Sequence, residues 1–419
     1  MLTHEDNAFL TQTGPGTPMG ELWRRFWLPA LLPGELPEPD CAPVRIRLLS
    51  EELVAFRDSS GRVAFMQNAC PHRGASMFFG RNEEDGLRCV YHGWKFDVTG
   101  ACVDMPNEPA ESNFKHKIQA TTYPGADWGG LIWVYMGPKH LSPQLPQLQW
   151  CILPDNQRYV DKWLQNCNST QAHEGEIDTS HISFLHRTFE DPGAGPRRNV
   201  TSLALAALDG APQLTVKETE YGFVYGARRT TPDGNYYWRC TQFLLPNYSI
   251  IAGGNGGRCW IPMDDEHCWV FAYTCNPQAP MSEDELRPYK TGASGYARKI
   301  PGTFHTLMNA GNDYGIDRDM QHTKNFTGIW GVRDQDLAVV ESMGGVYDRT
   351  KERLGTADTA IIAARRMLIR YARELQQGKE PYAASHGEAY RVRGLGLIDR
   401  EGDLGALLAN HREGMKVTG

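Results

Sequence analysis

Two short segments that pair a cysteine with a histidine constrain the fold of this chain more than any other feature. The first is Cys70-Pro71-His72 and the second is Cys89-Val90-Tyr91-His92, with sixteen residues between them. Thiolate and imidazole are both good transition-metal ligands. Pro71 and the glycines at 74 and 93 are typical of tight loops that could present such ligands. We therefore expect two ligand loops to meet within one small domain.

The mixture of residue types within each pair distinguishes between kinds of metal site. Structural zinc sites of the Cys2His2 type usually pair Cys with Cys and His with His. A Rieske [2Fe–2S] cluster instead binds one iron through two thiolates and the other through two neutral imidazoles, which raise its reduction potential. The sequence thus predicts a Rieske cluster held by Cys70, His72, Cys89 and His92, with Trp94 shielding it from water.

The patterning of apolar residues divides the chain into three parts. Residues 1–40 form an N-terminal segment with helix-like spacing, and short strands with turns indicate a small all-β domain at 41–150. Alternating patterns over 200–275 predict a broad antiparallel sheet curving around a ligand cavity, in a domain at 151–419. Near the end, Asp358–Gln377 has the spacing of a helix. The predicted fold class is α+β.

Composition excludes several other functions. The net charge of −7 argues against binding nucleic acid, which is usually met by a concentrated basic surface. No apolar run approaches the roughly 20 residues that span a bilayer. The opening MLTHEDNAFL has no basic or long apolar region, so no secretory signal is expected and a cytoplasmic location follows. Most of the ten cysteines are then expected to be reduced and buried.

A second group of ligands lies in the segment EGEIDTSHISFLH at 174–186, which fits the pattern D-x2-H-x4-H through Asp178, His181 and His186. With it the chain resembles the α subunits of Rieske non-heme iron aromatic ring-hydroxylating oxygenases. The likeness is to the phthalate dioxygenase branch, which includes related O-demethylases, and it extends over nearly the whole chain. It implies an N-terminal all-β Rieske domain and a C-terminal helix-grip catalytic domain, whose curved antiparallel sheet surrounds a mononuclear iron.

The two histidines indicate an Fe(II) site completed by one carboxylate. Such a set on one face of the metal leaves three positions open for O2, with room for substrate alongside. His181 and His186 are five residues apart, which would place them about 140° from each other around a regular α-helix. Both can point at one metal only if the helix is distorted, for example by a π-bulge, or ends between them. Asp334 and Asp336 both qualify as the carboxylate. Asp336 is preferred because Glu341 follows it at the spacing seen in related proteins.

The resemblance also implies a route for electrons. In these oxygenases the two metals of one chain are far apart, and a head-to-tail trimer sets the Rieske cluster of one subunit beside the mononuclear iron of the next. The implied path runs from His92 through Asp178 of the neighbouring chain to His181. A homotrimer or a stack of two trimers is expected. The expected electron source is NAD(P)H, through a flavin or iron–sulfur reductase with or without a ferredoxin, and O2 is the co-substrate.

Two positions depart from the family pattern. The family often has an Asn-Trp pair before the Glu-Gly step, whereas here Asn168 is followed by Ser169. His173 lies at a position that is usually apolar, where it could alter the pocket floor or add a hydrogen bond. Neither change removes a predicted metal ligand.

The substrate is the least determined part of the prediction. Relatives in this branch act on aromatic carboxylates, and a buried arginine is the natural anchor for such a group because guanidinium matches it with two hydrogen bonds. Arg239 is the candidate we prefer, although its strand could turn it toward or away from the cavity. The alternatives in the strand region are Arg228, Arg229 and Arg258.

Four functions are compatible with these residues, and the first is favoured. It is a terminal oxygenase that dihydroxylates a phthalate- or benzoate-like ring. The second is an O-demethylating monooxygenase on a methoxylated, lignin-derived aromatic acid, and the third is an oxygenase on a non-aromatic polycyclic substrate. The fourth, a non-catalytic electron carrier, is disfavoured by the long region after the Rieske motif. The sequence names neither the substrate nor the reductase.

Overall fold

The computed structural model describes residues 2–109, 111–189, 205–206, 209–253 and 255–417. Within these ranges the chain forms three antiparallel sheets, two in the N-terminal region and one large sheet in the C-terminal region. Helices lie mainly against the large sheet. A strand is also predicted at 201–208, where 201–204 and 207–208 fall outside the described residues. Residues 205–206 are helical, so the strand prediction is wrong there.

The N-terminal region contains ten strands: β1 (Trp27–Leu31), β2 (Val44–Leu48), β3 (Glu51–Arg57), β4 (Val63–Gln67), β5 (Arg81–Glu83), β6 (Gly86–Arg88), β7 (Lys95–Phe96), β8 (Cys102–Asp104), β9 (Thr122–Trp128) and β10 (Leu131–Tyr135). Six of them form a sheet in the order β1-β10-β9-β4-β3-β2, and β5 to β8 form a small sheet in chain order. A core that includes Phe56, Met66, Leu87 and Phe96 lies between them and also contains the predicted cluster cysteines. The predicted all-β domain is therefore confirmed.

The C-terminal region contains eight strands: β11 (Arg158–Gln165), β12 (Gln213–Thr219), β13 (Gly222–Thr230), β14 (Tyr236–Leu244), β15 (Tyr248–Ile250), β16 (Gly256–Pro262), β17 (Cys268–Cys275) and β18 (Leu395–Asp399). They pair in the order β11-β17-β16-β15-β14-β13-β12, and β18 is added beside β14. Every pairing in this sheet is antiparallel, as the alternating sequence pattern predicts. Together with the helices, this confirms the α+β fold class.

Eleven α-helices are found in the described ranges: α1 (His4–Thr11), α2 (Pro18–Trp23), α3 (Gln149–Ile152), α4 (Ser169–Ile177), α5 (Ile182–Leu185), α6 (Glu283–Lys290), α7 (Arg318–Thr323), α8 (Val332–Glu341), α9 (Thr359–Gln376), α10 (Tyr382–Ser385) and α11 (Leu404–Asn410). The helix predicted at 358–377 is thus present as α9. None of the helices described is both long and apolar enough to cross a membrane.

Helix α4 lies against one face of the large sheet. The ring of His173 in this helix stacks between Phe243 of β14 and Trp260 of β16, with centroid separations of 5.1 and 4.8 Å. The opposite face of β14 packs Trp238 against Leu404 of α11. The face that carries Phe243 is therefore the inner face, and it fixes the position of α4.

Buried charges join α4 to the C-terminal helix α9. Arg365 of α9 donates from Nε and Nη2 to the two carboxylate oxygens of Glu174, at 2.7 and 2.9 Å. Arg349 also donates to Glu174, at 3.1 Å, and Arg365 pairs with Glu352 as well. Because removing one partner from such a network leaves an uncompensated buried charge, the network fixes the position of α4.

Candidate metal centres

The two predicted cluster loops have the same backbone arrangement. In the first, Gly74 N–H donates to Cys70 O at 2.9 Å and Cys70 N–H donates to Ala75 O at 2.8 Å. In the second, Gly93 N–H donates to Cys89 O at 3.0 Å. Both glycines have a φ close to +77°, which a residue with a side chain adopts only with strain. The CPHRG and CVYHG segments thus form two equivalent turns that face one another.

The side chains of these loops sort into a sulfur pair and a nitrogen pair. Cys70 and Cys89 are buried, at 3% and 2% exposure, whereas the Nδ1 atoms of His72 and His92 converge to 3.1 Å nearer the surface. Trp94 stacks on His72 at a centroid distance of 4.4 Å and covers one side of the site. Two sulfurs and two nitrogens on separate sides are the donor set that a Rieske cluster requires.

The surroundings of Cys70 also fit an iron–sulfur cluster. Burial raises the pKa of its thiol to about 11, while the backbone N–H groups of His72 and Arg73 counteract this by donating to the sulfur. Hydrogen bonds of this kind stabilise thiolate ligands and tune the reduction potential of a cluster. The loop therefore supplies donors that an ordinary buried cysteine does not need.

A second convergence of ligands lies at the end of α4. Nε2 of His181 and Nε2 of His186 are 3.2 Å apart, and Oδ1 of Asp336 is 3.8 and 3.2 Å from them. Among the residues described, this is the one group of three or more His, Cys, Asp or Glu ligand atoms that lie mutually within 4.8 Å. Asp334, the alternative carboxylate, is instead paired with Arg298 at 2.6 Å.

The histidines converge because the helix ends before them. Helix α4 stops at Ile177, Asp178 is extended with ψ of 103°, and His181 and His186 then flank the single turn of α5. Oδ1 of Asp178 accepts hydrogen bonds from the N–H and Oγ of Ser180, at 2.9 and 2.6 Å, and so stabilises the turn that follows the helix. Of the two arrangements the sequence allowed, a helix end is therefore the one observed, without a π-bulge.

Gln335, which the sequence analysis did not identify, fixes the orientation of His186. Its Nε2 donates to the carbonyl of Ile329 at 2.9 Å, so its Oε1 is left to accept from His186 Nδ1 at 2.7 Å. The proton of the imidazole is then on Nδ1, and the lone pair of Nε2 faces Asp336 and His181. Orientation of a metal-binding histidine by such a hydrogen bond is a general feature of metal sites.

The electrostatics of this group suit a cation. Burial lowers the pKa of His181, but the carboxylates of Asp178 and Asp336 outweigh it and the net shift is upward. Burial raises the pKa of Asp336, but His186 and Arg333 outweigh it and hold the pKa well below its ordinary value. Oδ2 of Asp178 lies 3.7 Å from Nδ1 of His181. A pocket that favours positive charge among two imidazoles and a carboxylate fits Fe(II).

His173 is buried but does not contribute to this group. Burial lowers its pKa to about 3, so the ring is neutral and acts as an aromatic spacer between α4 and the sheet. Ser169, the other departure from the family pattern, is the buried first residue of α4, which Asn168 caps by accepting from Thr170 N–H at 3.1 Å. Neither residue replaces a ligand.

The register of β13 and β14 places Arg239 on the inner face of the sheet. Arg239 is opposite Ala227, and Phe243, which packs against α4, lies four residues further along the same strand. Its neighbour on that face, Arg229, donates to the carbonyl of Thr179, beside Asp178, at 2.8 Å. The question that the sequence left open is thus answered, because Arg239 faces the iron-binding segment.

The other arginine candidates have partners of their own. Arg228 is on the outer face, where it stacks on Tyr236 and donates to the carbonyl of Gly402 at 2.5 Å. Arg258 is paired with Glu176. Arg239 is 8% exposed, and its Nε is buried without a hydrogen-bond partner among the described residues. It is therefore the candidate best placed to receive an anion.

Comparison with known proteins agrees with both centres. Residues 26–124 match the family described as the Rieske [2Fe-2S] domain, and residues 134–396 match the one described as LigXa C-terminal domain like. The 3-chlorobenzoate-3,4-dioxygenase oxygenase subunit of Comamonas testosteroni is 39% identical, over 89% of each chain. The phthalate 4,5-dioxygenase oxygenase subunit of Pseudomonas putida is 37% identical, over 90% of this chain and 88% of that one.

More distant relatives are named for other oxygenase reactions. The 5,5'-dehydrodivanillate O-demethylase oxygenase subunit of a Sphingobium strain is 31% identical, over 91% of this chain and 83% of that one. The crystal structure of dicamba monooxygenase bound to dicamba has the same fold, with a TM-score of 0.58 at 18% identity, covering 85% of this chain and 99% of that one.

The fold and the two ligand groups define a class of protein in which a Rieske domain is joined to a catalytic domain with a non-heme iron. This chain belongs to that class as an oxygenase subunit of the Rieske non-heme iron oxygenases. It is thus an oxidoreductase that incorporates O2, with a [2Fe–2S] cluster and a mononuclear iron as cofactors. It functions in a system of several components that includes a reductase.

The role of Gln335 can be tested by iron content. Gln335→Leu removes the acceptor for His186 Nδ1–H, so we expect the affinity for mononuclear iron to fall about 10- to 100-fold while the [2Fe–2S] cluster is unchanged. Chelator competition measures the affinity for the mononuclear iron. The EPR spectrum of the reduced protein shows whether the [2Fe–2S] cluster is unchanged. Unchanged iron affinity would show that His186 is oriented without this hydrogen bond.

Proposed function

We propose that Cys70, His72, Cys89 and His92 hold the Rieske cluster and that His181, His186 and Asp336 hold the mononuclear iron. The convergence of the last three donor atoms is the observation that carries this assignment. The matching turns of the two cysteine loops support the first set. When bound, the iron would activate O2 with electrons that arrive from a cluster.

The chain's own residues prepare that site. Gln335 directs the Nε2 lone pair of His186 inward, and Asp178 is in position to do the same for His181. The three donors occupy one side of the metal position, which leaves the other side for O2 and substrate.

We further propose that electrons pass between chains, from His92 of one copy to Asp178 and His181 of the next. Two separate apolar surfaces support this. Beside the cluster, Phe79, Val90 and Tyr91 are more than half exposed. Beside the proposed iron ligands, Phe184 lies exposed between His181 and His186, and its ring is 6.0 Å from that of the exposed Phe326.

Apolar patches of this kind mark protein interaction sites. Contact between two different patches on identical chains is heterologous, and it closes into a ring if the rotation permits. A homotrimer, alone or stacked as a hexamer, is the assembly we propose. The ten cysteines form no disulfide, which suits the reducing cytoplasm as the location.

The proposed substrate is an aromatic carboxylate, phthalate- or benzoate-like, whose ring is dihydroxylated. Among the residues that the structure describes, Nε of Arg239 is buried without a hydrogen-bond partner. Burial, and after it the nearby charge of Arg239, lowers the pKa of the Arg229 guanidinium to about 10. Two buried cations on one face favour an anionic ligand. The 39% and 37% identical relatives are named for 3-chlorobenzoate and phthalate.

O-demethylation of a methoxylated aromatic acid is the second candidate, because a relative of 31% identity is an O-demethylase subunit. Both reactions use the same iron ligands, and the product separates them. With labelled O2 and reduced enzyme, we expect a diol that retains both oxygen atoms, detected by mass spectrometry. Release of formaldehyde from a methoxylated acid, without a diol from any benzoate or phthalate, would favour the alternative.

The carboxylate anchor gives a second test. Arg239→Met removes a guanidinium whose Nε has no hydrogen-bond partner in the part of the chain that the structure describes. KM for the aromatic acid should then rise by about tenfold or more, since a charge-assisted bond of about 1.5–3 kcal/mol is lost. Activity on the corresponding neutral amide should change little. Arg228→Met is the matched control, because Arg228 is on the outer face. Equal effects of the two substitutions would show that Arg239 does not bind the carboxylate.

A further inference from the structure

Arg333 lies between the proposed iron carboxylate and a second buried acid. Its Nη1 is 3.4 Å from Oδ2 of Asp336, and its Nη2 is 3.2 Å from Oε2 of Glu176. All three side chains are at most 18% exposed. The other oxygen of Asp336, Oδ1, is the one that faces the two imidazoles. The two oxygens of this carboxylate thus have different partners.

The guanidinium of Arg333 is held from several elements. Glu176 at the end of α4 also pairs with Arg258 of β16, so negative and positive groups alternate from Asp336 to Arg258. The carbonyl of Gly295 accepts from Arg258 Nη2 at 2.7 Å and from Arg333 Nε at 3.4 Å. Because Glu176 accepts from Nη2 and Gly295 from Nε, the guanidinium of Arg333 is held with its Nη1 toward Asp336.

We propose that Arg333, held by Glu176, is a positioning residue that keeps Asp336 a ligand through one oxygen. Rotation of the carboxylate to bring Oδ2 onto the metal would break its contact with Arg333. The third ligand then occupies a single position, and three positions stay open for O2 and substrate. This inference rests on the proposed assignment of Asp336 as an iron ligand.

A second buried ion pair, between Arg298 and Asp334 of α8, provides a matched control. Arg298 donates to Oδ2 of Asp334 from Nη2 at 2.6 Å and from Nε at 2.9 Å. Asp334 precedes Asp336 by two residues in α8, and no ion pair joins Arg298 to Asp336 among the described residues. Asp334 is as buried as the members of the Arg333 group, at 2% exposure. Arg298→Met therefore measures the effect of breaking a buried ion pair at α8 while the contact of Arg333 with Asp336 is kept.

The test replaces the mononuclear iron with Co(II). X-ray absorption at the cobalt edge then measures the coordination of that site without a contribution from the cluster irons. In Arg333→Met, we expect both oxygens of Asp336 to bind and one positive charge near the metal to be lost. Affinity for Co(II), measured by chelator competition, should therefore rise about tenfold because a nearby positive charge no longer repels the metal ion. The absorption spectrum should gain an oxygen ligand and a short metal–carbon distance. Arg298→Met should change neither readout.

The possible failures are distinguishable. If Arg333→Met lowers Co(II) affinity, or leaves the coordination unchanged, Arg333 is only a structural partner and the proposal is wrong. Asp336→Asn tests the underlying assignment, since it should lose the metal; retention at wild-type affinity would overturn the ligand set itself. Should Arg333→Met not fold, Arg333→Gln, which can still hydrogen-bond to Glu176, gives the same two readouts.

Discussion

The attachment of α8 to the end of α4 is the interaction on which the catalytic centre depends. His186 and Gln335 are 149 residues apart in sequence, yet Nδ1 and Oε1 are 2.7 Å apart. Glu176 and Arg333 join the same two elements by charge, and Gln171 Nε2 donates to the carbonyl of Val340 at 3.0 Å. Together these contacts bring two histidines and a distant carboxylate to one place.

Buried ion pairs make this attachment specific. Taking charges out of water costs several kcal/mol per ion, and pairing repays it only when the geometry is good, so such networks favour one arrangement more than they add stability. In this chain one network, around Glu174, fastens α4 to α9, and another, around Glu176, fastens it to α8 and β16. Each fixes the segment that carries Asp178 and His181.

The family and fold could be predicted from sequence because their determinants are local. Cys and His spacing within two short loops is visible in a few residues, as is the strand alternation over 213–275. The helix end before His181 was left open, because it depends on the hydrogen bonds of Asp178 with Ser180. Residues from about 160 to 187 have helix-compatible spacing, yet the structure begins this region with strand β11 (Arg158–Gln165), because that segment pairs along its whole length with β17.

The residues that sequence analysis missed act over long range. Gln335 and Arg333 are common residue types, and nothing in their immediate sequence indicates that they touch a histidine 149 residues away and a carboxylate 157 residues away. The face of Arg239 could be assigned only once β13 and β14 were in register and α4 was in place. Such contacts form only when distant segments pack together, and the local sequence pattern does not show which segments will do so.

The most direct test of the account is the transfer of an electron from cluster to iron through Asp178. In Asp178→Asn, iron and sulfide content should match wild type. After reduction and mixing with O2 and an aromatic acid, stopped-flow absorbance should show the cluster still reduced, with no hydroxylated product, whereas wild type reoxidises and forms product. Turnover of the variant at the wild-type rate would contradict the proposed path.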